Sequence, residues 1–286
     1  FTRKSLGSYK QLLTTFISFD VILTIVHAFE KPKAVCIGTT FGYVSYYPDR
    51  TITALYSACF SVPFALMNIH FLYRFWSIRH PNLIQLFSRK RFIAFIAMFP
   101  VAECVIWVHG TTGEGPEPDK ALMANEIFER YGLNLSEGWI VMSHWKNGEF
   151  QPHIFRTLMC FDAIMIGSFS LASTLGGLAY YHIKRADKIS TLARALQQRL
   201  LIAVCGQTAV PLLFVYIPFF CVLNFPFFRL PILYIDDVTA TMTSCFPLWD
   251  AVVIIILMKD YRDGLIGMLR KKKAPAATTV WMTATS

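Results

Sequence analysis

Six stretches of this chain, at about 11–29, 51–73, 92–110, 157–182, 200–223 and 233–258, are each long and apolar enough to cross a hydrocarbon core about 30 Å thick. That spacing constrains the fold more than any other feature. It implies an all-α protein, a polytopic membrane helix bundle, with residues 1–286 as one transmembrane domain and 259–286 as its tail. Composition agrees: 55% of the residues are apolar, 15% aromatic and only 16% charged, with a mean hydropathy of +0.46. No stretch is left over for a soluble domain.

The segments between the spans sort by charge. Residues 1–10, 74–91, 183–199 and 259–286 carry 19 of the 27 lysines and arginines, while 30–50, 111–156 and 224–232 carry the rest. Basic residues mark the cytoplasmic face, so both termini are expected inside. The acids Glu114, Glu117, Asp119, Glu126, Glu129, Glu137 and Glu149 gather in the long outer stretch 111–156. Its sequon at Asn134-Leu135-Ser136 makes Asn134 a glycosylation candidate on that side. Asp119 to Tyr131 has helical spacing, and Asn147-Gly148 reads as a hairpin turn, so this stretch is either a lid over the outer mouth or a solvated loop.

The run FPLWDAVVIIILMKDYR at 246–262 holds one acid, Asp250, and stops at a charge cluster where a helix would emerge into headgroups. Beyond it, Tyr261, Leu265, Ile266 and Leu269 share a helical face that leads into Arg270–Lys273. This segment reads either as a helix lying on the inner leaflet or as a solvated basic flank, with Gly264 and Gly267 weakening the helix.

Neither composition nor motif points to catalysis. The seven cysteines form no CxxC pair, so no disulfide framework or zinc site is expected, and the seven histidines show no metal spacing. A nucleophile elbow and a phosphate loop are both missing from the sequence. Gly176-Gly177 reads instead as a place where helices approach closely. No cofactor, metal or nucleic acid is implied.

Four segments carry a family likeness: LGSYKQLL at 6–13, IHFLYRFW at 69–76, FERYGLNL at 128–135, and QTAVP at 207–211 together with FPLWDAVVIIILMKDYR. By these the chain resembles the nematode Str class of seven-transmembrane chemoreceptors, with the Srj and Srd classes as neighbours. The resemblance aligns LGSYKQLL with the loop between the family's first and second spans. With Phe1 at the start, the expectation is a fragment, or a gene model missing its start, that holds six of seven spans. The resemblance further implies coupling to a heterotrimeric G protein, a place in the plasma membrane of a sensory cilium, and a small odorant or soluble cue as ligand. Tyr73, Arg74, Gln207, Pro211, Pro247 and Asp250 fall at its switch and coupling positions. The chain departs from the family at Ala251, where a second proline is usual, and in having no cysteine in 111–156, which leaves Cys36 and Cys59 without a partner there.

Asp20, Glu103, Asp162 and Asp250 lie within spans, where an acid costs about 2.5–3.5 kcal/mol at the bilayer centre, so each is expected to face the bundle interior. Each reads either as a ligand contact or switch or as a structural hydrogen-bond knot. Pro247 frees backbone carbonyls one turn before Asp250, which suits a polar network that two helix arrangements compete for. Ligand candidates in the outer halves of the spans are Tyr56, Phe60, Asp162, Met165, Tyr216, Phe220, Asp237 and Thr241, each of which also reads as helix packing. The competing functional reading is a transporter or channel subunit using its intramembrane acids. That reading calls for paired broken helices, and the breaks at Gln207–Pro211 and Pro247–Asp250 have no sequence counterparts in the first three spans. A non-functional truncated receptor is the third alternative.

Overall fold

The computed structural model describes residues 3–47, 49–112, 117–134, 137–185, 190–230, 235–257 and 259–271. Its helices are α1 (Arg3–Glu30), α2 (Arg50–Cys59), α3 (Val62–Arg79), α4 (Lys90–Thr111), α5 (Glu117–Tyr131), α6 (Pro152–Arg185), α7 (Thr191–Pro211), α8 (Ile217–Asn224), α9 (Ile235–Leu257) and α10 (Lys259–Lys271). A 3-10 turn, Pro81–Ser88, joins α3 to α4, and a π-helical turn, Leu212–Tyr216, joins α7 to α8.

Among the described residues, four helical runs are long and apolar enough to cross a membrane: Arg50–Arg79, Lys90–Thr111, Pro152–Arg185 and Thr191–Asn224. The two remaining expected spans coincide with α1 and α9. Apolar side chains cover the outside. In α4, Met98, Val101 and Val105 are exposed, whereas Asp20, His70, Arg74, Asp162, Gln207 and Asn224 are buried. This inversion is what a hydrocarbon solvent selects, because polar groups then have partners only inside the bundle.

Among the described residues two of the spans are interrupted, each at a proline. Pro63 in the first turn of α3 has no N–H to offer, and the helix breaks at Phe60-Ser61. The Ala58 carbonyl is satisfied there by the Ser61 hydroxyl at 2.8 Å and the Cys104 thiol at 3.5 Å. Pro211 likewise ends α7, and the π turn follows it. The break at Ser61 corrects the expectation that the early spans contain no counterpart to the break at Gln207–Pro211, and α9 runs as one helix through Pro247–Asp250, where a second break was expected. Helix contacts are tight where side chains are small. A Cβ on Gly176 of α6 would sit 2.9 Å from the Phe71 ring of α3, and one on Gly206 would sit 2.3 Å from a Leu257 methyl of α9. Gly177 faces open space.

The loops at one end of the bundle build a cap that no sequence signal pointed to beyond its helix and its turn. Strands β1 (Lys33–Ile37), β2 (Thr40–Val44) and β3 (Ile140–Ser143) form an antiparallel sheet in that order, with Phe41 opposite Met142 and Tyr43 opposite Ile140. Strand alternation turns Phe41, Tyr43, Ile140 and Met142 into one core with the bundle. On the other face Val35, Val44 and Val141 pack with Met123 and Ile127 of α5 and with Trp139. Gly42 lies under α5, where a Cβ would come 2.8 Å from the Met123 sulfur. A second hairpin, β4 (Trp145–Lys146) and β5 (Glu149–Phe150), turns through Asn147 and Gly148, both at positive φ, as the Asn-Gly pair leads one to expect.

Candidate functional site

Between α3, α6 and the α7–α8 junction lies a cavity of about 180 Å³. Phe64 and Met67 line it from α3, and Met165, Ile166 and Phe169 from α6. Thr208, Leu212, Tyr216, Ile217 and Phe220 close the third side. Pro211 and the π turn create that third side: the extra residue per turn swings Leu212 and Tyr216 onto the face that already carries Thr208 and Phe220. The Tyr216 ring stacks on Phe64 with centroids 3.8 Å apart, forming the inner wall. Its hydroxyl is buried without a hydrogen-bond partner among the described residues, and its electrostatic neighbours are Asp20 of α1 and Glu103 of α4.

An aromatic chain leads from this wall toward the cap. Phe60 packs on Phe219 at 5.5 Å, Tyr56 meets Phe60 edge-on at 5.2 Å, and Tyr43 of the sheet lies parallel to Tyr56 at 6.3 Å. The Tyr56 hydroxyl contacts His27 Nδ1. Burial, with Tyr56 and then Glu30 nearby, pushes the Tyr43 hydroxyl well above the usual tyrosine range. Asp162 is buried a turn above Met165, where Asn224 Nδ2 donates to it at 3.0 Å and to the Phe220 carbonyl at 3.1 Å.

Of the eight ligand candidates, the structure therefore places Met165, Tyr216 and Phe220 on one cavity, Tyr56 and Phe60 on the aromatic chain, and Asp162 in the Asn224 pair. Thr241 is exposed on α9 and does not line the cavity, and the side chain of Asp237 lies outside the described residues. The switch candidates divide in the same way. Tyr73 is buried, edge-on to Phe87 at 5.0 Å, and Arg74 is buried beside it. Gln207 and Pro211 are buried on α7, and the side chains of Pro247 and Asp250 lie outside the described residues, although both belong to α9. Asn134 is exposed just beyond α5, while Leu135 and Ser136 of its sequon are not among the described residues.

Of the lining residues that sequence reasoning missed, Ile166 and Ile217 are chain neighbours of Met165 and Tyr216, and four others stand at helical spacing from residues it named. Phe64 is four residues past Phe60, Phe169 is four past Met165, and Thr208 and Leu212 continue the stripe of Tyr216 and Phe220. Extending each candidate by one or two turns toward mid-membrane would have found Phe64, Phe169, Thr208 and Leu212. Among the described residues no grouping of three His, Cys, Asp or Glu could hold a metal ion, and no disulfide joins two cysteines.

Fold and cavity together define a polytopic membrane helix bundle with an intramembrane pocket of small-molecule size. The sequence comparison narrows the class: a model of the family described as "Serpentine type 7TM GPCR chemoreceptor Str" matches residues 1–266, and the chain belongs to that family. It is a family of nematode membrane receptors, not of enzymes. Serpentine receptor class r-10 of Caenorhabditis elegans is 25% identical, over 94% of this chain and 84% of that one. From the same organism, G-protein coupled receptor str-217 is 23% identical over 91% and 80%, and serpentine receptor class delta-1 is 23% identical over 94% and 74%. No solved structure matches.

Proposed function

We propose that this chain is an olfactory-type chemosensory receptor that binds a small odorant or soluble cue in the cavity against Met165, Tyr216 and Phe220 and signals to a heterotrimeric G protein. The observation that carries this reading is the position of the cavity. Its third wall is the Pro211 interruption, so an occupant touches the part of the α7–α8 helix with the fewest regular backbone bonds. Filling the cavity favours one setting of that turn over another, and α7 carries the difference toward the end of the bundle rich in lysine and arginine. Arg74, buried in α3 at that end, and Asp250 of α9 are assigned to the switch rather than to the ligand. Residues 1–286 are read as a single receptor domain, six membrane helices of a seven-helix fold. Lys and Arg bias supports a topology with Asn134 outside and the tail 259–286 in the cytoplasm, and the family resemblance supports a sensory cilium as the location.

The transporter reading is weaker, because the interruptions at Ser61 and Pro211 do not open onto a polar path. The Phe64–Tyr216 stack lies between them, and the cavity lining is apolar apart from Thr208 and Tyr216. A reporter assay in cells expressing the receptor tests the proposal with Arg74→Ala, Met165→Trp and Asp250→Asn. Arg74→Ala is expected to abolish the signal or make it constitutive at near-normal surface level. Met165→Trp removes the ligand response, and Asp250→Asn shifts the dose response. Unchanged signalling in all three at normal surface level overturns the assignment.

A further inference from the structure

We infer that the ligand reaches its cavity sideways, from the hydrocarbon of the bilayer through the gap between α6 and α8, and is therefore a small uncharged molecule that partitions into lipid. This rests on the cavity being the ligand site, as proposed above. Three observations carry the added step.

The outer route is closed among the described residues. Phe41, Tyr43, Ile140 and Met142 of the sheet are buried against Trp107, Phe161 and Leu223 of the bundle, and the space left between them is about 10 Å³. That is no more than the room a single water needs. Above the sheet, α5 packs Met123 and Ile127 onto its other face, so the cap is two layers thick.

The cavity instead reaches the side of the bundle. Three of its lining residues are also surface residues: Ile166 is 55% exposed, Phe169 41% and Ile217 47%. All three are large and apolar, on spans whose outer faces meet lipid. Ile166 and Phe169 come from α6 and Ile217 from the start of α8, so they form the two jambs of one opening.

The lining fixes the class of occupant. Thr208 and Tyr216 carry the two polar side-chain groups among the lining residues, and the wall that the cavity presents is apolar. A charge or an exposed hydrogen-bonding array would be stranded there. A dry apolar cavity of about 150 Å³ holds benzene, so about 180 Å³ suits a ring or short chain of that size or slightly larger.

The test uses fluorobenzene as probe on the whole chain in lipid nanodiscs, with exchange followed by fluorine NMR. Met165→Trp fills the cavity and defines the specific signal. Ile217→Trp narrows the side opening and Ile217→Ala widens it. The pair Thr40→Cys and Ser143→Cys staples the two outer loops across facing strands, where the native hydroxyls lie 3.4 Å apart, and reductant releases the staple. Lateral entry predicts that Ile217→Trp slows exchange about tenfold or more and Ile217→Ala speeds it, while oxidising the staple changes it by less than about twofold. A staple that slows exchange, or rates indifferent to both Ile217 variants, overturns lateral entry while a signal sensitive to Met165→Trp keeps the cavity as the site. Fluorobenzene binding insensitive to Met165→Trp, or absent from the native chain, overturns the cavity reading itself and this inference with it.

Discussion

The cap and the bundle are folded by opposite rules within one chain. In the cap, α5 buries Met123 and Ile127 completely and exposes Asn125, Glu129 and Arg130 on a face that also carries Leu122 and Phe128. In the bundle, α4 exposes Met98, Val101 and Val105, while α1, α3, α6 and α7 bury Asp20, Arg74, Asp162 and Gln207. Hydropathy does not sort inside from outside in the second region. The most apolar 18-residue stretch of Arg50–Arg79 has a mean hydropathy of 1.5 and 72% of it is buried, while the corresponding stretch of α4, at 2.0, has 6% buried. Where lipid is as apolar as leucine, burial is decided by small residues, polar partners and shape. Where water is the solvent, burial follows apolarity itself.

The largest expected effect comes from placing the same charge in both regions. Val101→Arg on the exposed face of α4 is expected to cost about 3 kcal/mol of membrane insertion. Asn125→Arg on the exposed face of α5 should stay within about 0.5 kcal/mol. Yield of correctly inserted chain, compared by protease protection, measures both. Equal tolerance of the two arginines would break the comparison, because it would mean that the outer face of α4 meets water or another protein.

What could be read from the sequence divides along the same line. The helices at the expected spans were legible because a run such as 157–182 must be helical in lipid whatever it packs against. The hairpin at Asn147-Gly148 and the helix at Asp119 to Tyr131 were legible because turn chemistry and a 3.6-residue period are local. The sheet was not: β1 and β2 are five residues each and pair as a short local hairpin, and the second partner of β2, β3, lies about a hundred residues away, so that pairing is a tertiary fact. The cavity was half legible. Met165, Tyr216 and Phe220 were named by type and depth, but whether Phe60 or Phe64 faced the cavity depended on the break at Ser61. The cost of that break is met by a hydroxyl and a thiol that sequence spacing does not link.

A smaller effect distinguishes the regions by pH. His144 follows β3, its ring edge-on to Phe227, and burial lowers its pKa to about 4. In the undocked cap it would return to about 6.5. A base whose folded pKa is depressed contributes docking stability that is complete above the undocked value and is lost as pH falls toward the docked one. The window is therefore pH 6.5 down to about 4, with a loss of about 2 kcal/mol by pH 5. Hydrogen exchange across residues 140–150 should quicken over that range, and His144→Phe should flatten the response. A flat native profile would place His144 in water, and the water-solvent reading of the cap would then stop short of β4.

The smallest effect probes the seam where the two regions meet. Trp145 of β4 donates its indole N–H to the Phe227 carbonyl at 2.8 Å, just beyond α8, and the Arg229 guanidinium stacks on the same indole at 4.0 Å. Arg229 has φ of 56°, in the left-handed region that side chains seldom occupy, so the contact must also offset a backbone cost. Arg229→Leu removes the cation–π attraction and keeps the strain. Arg229→Gly removes both. If the stack holds the seam, the leucine variant should loosen the hairpin by about 1 kcal/mol and the glycine variant by less, since relief of strain returns part of the loss. Hydrogen exchange of the β4–β5 hairpin at pH 7.5, where His144 is neutral in both states, reads the two variants without interference from the pH effect. Equal loosening by leucine and glycine would show that the backbone at Arg229 stores no strain. No loosening by either would show that the indole hydrogen bond and the ring contacts on Phe227, without Arg229, join the cap to the bundle at this corner.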